Sequence, residues 1–453
     1  MCFQGKDDPA RNFRWLVYFS ICLLSASFAG CFKDIEAPPC ETLAQCPATP
    51  MFYNVCEENY CFFSDACKHS PPLPEDMCCP DFEGDRTNDS DCVSDVFLQG
   101  GVSTPAMLGS KIVVSANVLE NDKALVVLYL LDSKLKVQER LEVGRCMRCD
   151  RLLPVVVSNS GLVYVAHSQG VKAFAYAEEN RLEMKRDISG DAPQGNLVAL
   201  SPSKVLWPVS VNGVVIYDEV SGEKKVVEAV EPSRPGDTVQ SLVANNFYGI
   251  MVTSLGDARI LELEAPRFYA LQDVSHILFA LPFERTLYAF SADGTVSAIE
   301  LTSGRKRWDV ALDGEVMSNP ILDRFGNIFV ATRQGIYKVV DKGMDVEKSK
   351  TILDQLSAPS FLFITDKTRL MLVSQDKIVS FITQGKDSFV KGLWFSTSFQ
   401  VNTAPAVFLN RIWVPSRSGH LFVFLFGESL EQGGFCAPFG GTMNSSFVAS
   451  KGN

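Results

Sequence analysis

The 453-residue sequence predicts an all-β fold: a β-propeller of eight four-stranded blades, with seven as the fallback, preceded by a small disulfide-rich module. Three observations carry that expectation. The stretch Ala292 to Thr332 reads as one complete blade and its junction to the next. Fainter copies of it recur at a spacing of about 43 residues, within the range of four-stranded propeller blades. A leftover strand ahead of the first copy supplies what the last copy lacks.

Within the best unit, Asp293-Gly294 is expected to form a two-residue hairpin turn with both central residues at positive φ, which Asp tolerates and Gly adopts freely. After it, Thr295, Ser297 and Glu300 are interleaved with Val296, Ala298, Ile299 and Leu301, the pattern of a strand with one packed face. Ser303-Gly304 turns the chain again, and Arg305 to Leu312 returns as an outer strand carrying Trp308, the residue expected to pack between blades. Asn319-Pro320 then opens a new apolar run, and Gly326-Asn327 turns into Ile328-Phe329-Val330-Ala331.

Starts of innermost strands fall near Thr104, Leu153, Leu197, Leu242, Ile277, Asn319, Ala358 and Ala404. Seven blades would follow if Leu197 or Leu242 opened no sheet. Pro105, Pro154, Pro320, Pro359 and Pro405 stand at five of these starts, where a strand requires no ladder donor. Gly170, Gly213, Gly294, Gly335 and Gly419 mark the second hairpin of their units. The last unit, Ala404 to Phe426, shows three strands and runs into a Gly-rich segment. Upstream, Asp95 to Leu98 matches the outer-strand segment Asp309 to Leu312 and is expected to complete that last blade, removing an open sheet edge. The organisation is therefore 1–30 export signal, 31–92 cystine-rich module, 93–427 propeller and 428–453 Gly-rich tail.

Gly294 to Trp308 (GTVSAIELTSGRKRW) resembles the repeat of PQQ-type, quinoprotein-like β-propellers, whose pattern runs Gly, strand, Ala-Leu-Asp, Thr-Gly, Trp. Strand-turn-strand resemblance extends over about residues 93–427, though other units lack the Trp. The resemblance implies the fold more than a cofactor, since many proteins with this repeat bind no quinone.

The N-terminus reads as a secretory signal: Arg11 and Arg14 precede the apolar run Trp15 to Leu24, followed by small residues ahead of Cys31. Phe28-Ala29-Gly30-Cys31 is similar to the bacterial lipobox, with Phe28 in place of the usual Leu, which implies lipidation of Cys31 and an outer-membrane anchor facing the periplasm or the cell surface. Cleavage near Ala29 to release a soluble protein is the alternative. Cys40, Cys46, Cys56, Cys61, Cys67, Cys78, Cys79 and Cys92 follow within 53 residues, a density that reads as a disulfide framework in an oxidising compartment. Zinc is the rival reading, but this cluster has no Cys-x2-Cys pair and only one histidine, His69. Connectivity stays open. Cys436, in the tail, is a further candidate for a bridge to the module.

The formal charge of −11 and the absence of a Lys/Arg run argue against nucleic-acid binding. Catalytic quinoproteins need a metal ion that polarises the quinone, held by carboxylates and amides, and the segment 93–427 lacks the long insertions that build catalytic sites on such scaffolds. Cys146-Met-Arg-Cys149 is either a local disulfide clip on a blade-connecting loop or a redox pair; it does not open a helix in a βαβ unit, which favours the clip. Arg145, Arg148 and Arg151 make that loop basic, and a solvated triplet is the ordinary outcome. No Gly-x-Ser-x-Gly, phosphate loop or His-Glu-x-x-His element is present. The expectation is thus a non-catalytic, membrane-anchored interaction or scaffold platform with no cofactor and an envelope protein as partner. Its closest functional resemblance is to propeller lipoproteins of the outer-membrane β-barrel assembly machine. The alternative is a quinone- or metal-dependent oxidoreductase with its site in the propeller channel.

Overall fold

The computed structural model describes residues 53–57, 60–64, 93–146, 151–177, 180–271, 274, 276–323, 325–352, 360–364, 369–374, 377–384, 388–396, 403–408, 411–416, 419–425 and 447–448. The chain divides into two compact units, Met1–Ala48 with Asn54–Phe63 and Thr49–Tyr53 with Ser64–Asn453. The described part of the first lies in a two-stranded sheet, Tyr53–Glu57 with Tyr60–Ser64, whose strands carry Cys56 and Cys61.

In the second unit, eight sheets built on four antiparallel strands follow one another along the chain among the described residues, and the fourth carries a fifth, parallel strand. Sheet 1 has a broken inner strand, Gly101–Val102 and Ala106–Leu108, followed by Lys111–Glu120, Lys123–Leu131 and Val137–Arg145. Sheet 2 comprises Val156–Val157, Leu162–His167, Gly170–Ala177 and Arg181–Ser189, and sheet 3 Val198–Leu200, Lys204–Ser210, Gly213–Asp218 and Lys224–Glu228. Sheet 4 is Val239–Asn245, Tyr248–Thr253, Ala258–Glu262 and Arg267–Ala270, and sheet 5 is Ile277–Phe283, Thr286–Ser291, Thr295–Glu300 and Lys306–Ala311. Sheets 6 and 7 run Ile321–Leu322, Ile328–Thr332, Gly335–Asp341, Val346–Ile352 and Ser360–Ile364, Arg369–Ser374, Lys377–Gln384, Ser388–Ser396. Sheet 8 takes Ala406–Phe408, Arg411–Pro415 and His420–Leu425 from the end of the propeller and Val93–Phe97 from its beginning, paired Val93 to Phe424 and Phe97 to His420. The leftover strand thus lies where the sequence expected it.

Four inner strands begin at the residue directly after a proline, at Ala106, Ile321, Ser360 and Ala406. Proline fixes φ at an extended-compatible value and offers no N–H, so it suits the position just outside the ladder. The strands behind it are buried on both faces, and period-2 alternation survives inside runs that look uniformly apolar. In Lys111–Glu120, Ile112, Val114, Ala116 and Val118 pack toward sheet 8, while Val113 packs toward sheet 2. In Lys123–Leu131, Leu125, Val127, Tyr129 and Leu131 likewise face sheet 8, and Val126, Leu128 and Leu130 face sheet 2. Equivalent clusters join sheets 2 and 3, 3 and 4, 4 and 5, 5 and 6, and 6 and 7. This is the layered burial of a propeller, in which each sheet is the core of both neighbours.

One local expectation is corrected. Asp293 does not take a positive φ; Gly294 alone does, at 92°, and its N–H donates to the Ser291 carbonyl at 3.1 Å. The connection is a three-residue loop, Ala292 to Gly294, in which the Asp293 carboxylate instead accepts from the Thr295 N–H at 2.9 Å. That is a turn of ordinary hand followed by one left-handed residue, and only the last position demands glycine. A Cβ on Gly294 would stand 2.5 Å from the Gly314 carbonyl oxygen.

Candidate functional site

The inner strands surround a central channel, and their polar neighbours tie one sheet to the next. The Asn196 side chain both donates to the Leu242 carbonyl at 2.7 Å and accepts from the Leu242 N–H at 2.9 Å, clamping sheet 3 to sheet 4. Asn319 accepts from the Leu362 N–H at 3.2 Å between sheets 6 and 7, and the Thr104 hydroxyl donates to the Ala404 carbonyl at 2.6 Å between sheets 1 and 8. Each of these residues stands two positions before Ala106, Val198 or Ile321 of its inner strand, where a short polar side chain can reach the neighbouring backbone. Thr104 and Asn319 stand just before prolines of the strand-start pattern and Asn196 does not; the clamp itself was not anticipated.

Arg151 departs further from expectation. Instead of being solvated, its guanidinium donates to the Gln194 carbonyl at 3.0 Å, to the Val239 carbonyl at 2.8 Å and to the Gln240 carbonyl. It starts ahead of sheet 2 and ends on the inner strand of sheet 4, so it bridges one mouth of the channel. Beside it lies a cleft lined by Asn117, Cys146, Arg151, His167, Pro193 and Gln194, among others. Cys146 is disulfide-bonded. His167 is buried, and burial first, then the Lys172 ammonium, holds its pKa below the usual histidine value. The Gln169 N–H donates to Nδ1 at 3.4 Å, which leaves the proton of the neutral ring on Nε2. Among the described residues Nε2 has no partner, so there the cleft presents one unmatched buried donor suited to a water, carbonyl or carboxylate oxygen.

Trp308 sits between sheets 5 and 6, in a cluster with Tyr288, Val330, Tyr337 and Val339. Its indole N–H donates to Asp341 at 3.1 Å, the Tyr288 hydroxyl donates to the same carboxylate at 2.8 Å, and Arg307 pairs with it. Burial, and then the Asp341 charge, push the Tyr288 phenol upward, so it remains a donor throughout the physiological range. Apart from Arg307 Nε, the polar groups of this node pair with one another, which makes it a structural rivet. Trp207 and Trp413 are buried in their own sheets, their indoles donating to the Asp191 and Phe408 carbonyls.

Among the described residues, six of the twelve large exposed apolar side chains stand between strands, and two of these, Val230 and Leu255, lie at the opposite end of the ring from the other four. Val220 (83% exposed), Phe247 (40%), Phe325 (61%) and Met344 (82%) lie between first and second or third and fourth strands, which places all four at one end of the ring. Of the candidate cysteines, Cys31, Cys40, Cys46, Cys67, Cys78, Cys79, Cys92, Cys149 and Cys436 lie outside the described residues, as does the signal segment. Among the described residues no three His, Cys, Asp or Glu side chains are grouped as metal ligands would be, and no helix is long and apolar enough to cross a membrane.

No known family signature matches the sequence, and no curated protein matches it. Solved structures do. BamB from Moraxella catarrhalis is 13% identical with a TM-score of 0.49, over 74% of this chain and 99% of that one. The computationally designed Ika8 protein is 13% identical with a TM-score of 0.50, over 73% and 97%. The extracellular domain of the putative hybrid two-component system BT3049 from B. thetaiotaomicron is 14% identical with a TM-score of 0.40, over 60% of this chain and 39% of that one. Likeness at such identity concerns the fold alone, and that fold is a β-propeller. The resemblance of Gly294 to Trp308 to the PQQ-type repeat rests on that stretch.

Proposed function

We propose that the protein is a non-catalytic interaction platform of the bacterial cell envelope, tethered to the outer membrane through a lipid on Cys31, which docks a protein partner on one end of its ring. The observation that carries this reading is the set of exposed apolar side chains at that end: Val220, Phe247, Phe325 and Met344. Single exposed apolar residues are ordinary, but four at one end, two of them on sheet 6, form the kind of surface that a partner desolvates.

Crosslinking on intact membranes, with native chain and a Phe325→Ser/Met344→Ser variant, tests the docking end. The native chain should yield a defined crosslinked species that the variant loses, with thermal midpoints within a few degrees of each other because both side chains are exposed. An unchanged crosslinking pattern would refute the assignment. Fractionation tests the anchor separately: Cys31→Ser should move the protein from the membrane to the soluble fraction.

A further inference from the structure

The C-terminal tail, read from sequence as a Gly-rich segment, places residues in the channel. Phe447–Val448 forms a short strand that pairs in parallel with the inner strand of sheet 4, Ala244 against Phe447 and Asn245 against Val448. It also runs against the inner strands of sheets 3 and 5, so it lies at the axis rather than on the rim. Sheet 4 is suited to this. Its inner strand and that of sheet 5 run seven residues each, whereas the other described inner strands run two to five.

Strand parity explains where the addition occurs. Both main-chain groups of Leu242 are turned to the Asn196 side chain, away from the second strand of sheet 4. Ala244, two residues on, presents its own N–H and C=O on the same side. In this parallel register the Ala244 carbonyl is offered to the N–H of Val448. Asn245 steadies the site: its side chain donates to the Glu284 carbonyl at 2.8 Å and accepts from the Phe247 and Tyr248 N–H groups at 2.9 and 2.8 Å. Ala244 and Asn245 are both buried.

We infer that the channel-facing edge of sheet 4 at Ala244–Asn245 is a strand-addition site for an extended peptide, and that the chain's own C-terminal segment fills it as an intramolecular ligand. Main-chain hydrogen bonds would supply the affinity, as in other peptides that extend a sheet edge. The tail thereby excludes peptides of other proteins from this mouth of the channel. The site opposes the Arg151 bridge, which contacts the other end of the same strand at Val239 and Gln240.

The test uses the full-length chain with Val448→Pro, which removes the N–H donor, and Val448→Ala, which keeps it. Hydrogen exchange of the segment covering 242–247 should be at least tenfold faster in Val448→Pro than in the native chain, with Val448→Ala close to native and the inner strand of sheet 5 as the reference within each sample. A labelled synthetic peptide of residues 443–451 should bind Val448→Pro saturably and the native chain at least tenfold more weakly. Exchange at 242–247 that is the same in all three chains would overturn the proposal. So would a peptide that fails to bind Val448→Pro, or binds it and the native chain equally.

Discussion

Asn196 shows how much one side chain at the start of a strand can settle. It is buried and satisfies both main-chain groups of Leu242, so Asn196→Ala strands a buried N–H and a buried C=O at once. Each orphaned group costs about 1–3 kcal/mol, and the sum should appear as a lowered denaturation midpoint, whereas Asn212→Ala, at a turn, should change little. His167 makes a prediction about pH. Its folded pKa lies below the unfolded value of about 6.5, so as the pH falls below that value the unfolded chain takes up the proton first. Stability is therefore intact above about pH 6.5 and declines on acidification at up to about 1.4 kcal/mol per pH unit until the folded ring also protonates. His167→Gln, followed by thermal unfolding at pH 7 and pH 5, should flatten this dependence; an identical slope would remove His167 from the account. Neither role was legible in sequence. An Asn ahead of an apolar run looks like loop filler, and a lone histidine gives no sign of its burial.

Between sheets, the unit of stability is the face that two of them share. Trp308 bridges sheets 5 and 6 through its ring and through Asp341, and Trp308→Ala should cost about 3–5 kcal/mol, the range for deleting a large buried aromatic. Trp308→Phe, which keeps a smaller aromatic ring and loses the N–H, should recover more than half of that in urea unfolding. Much of this level could be read in advance. Prolines at strand starts, the glycine at the second hairpin and the single Trp all carry local geometric demands that show in sequence. The form of the Asp293-Gly294 turn did not, because turns with one and with two left-handed residues share the same dipeptide. The facing of individual positions was also hidden, since a strand covered on both sides reads as a continuous apolar run.

For the ring as a whole, closure is the event on which the rest depends. Val93–Phe97 covers the edge of His420–Leu425, and the Leu98 N–H donates to the Gly419 carbonyl at 2.9 Å just beyond it. The seam is tight: a Cβ on Gly419 would lie 2.9 Å from the Gly100 carbonyl oxygen. Deleting residues 93–99 exposes a long apolar strand edge, and light scattering should show association at micromolar concentration where the native chain stays monodisperse. A monodisperse deletion variant of native midpoint would show that the ring needs no such strand.

The linear pattern alone carried the repeat length, the inner-strand starts and the strand that returns from ahead of the first sheet, because each follows from backbone rules acting over a few residues. Folding in three dimensions decided which polar groups meet: Asn196 with Leu242, Arg151 with Val239, Trp308 with Asp341, and the C-terminal strand with Ala244. Those partners stand between 33 and 203 residues apart, and no local propensity encodes a meeting at such separation.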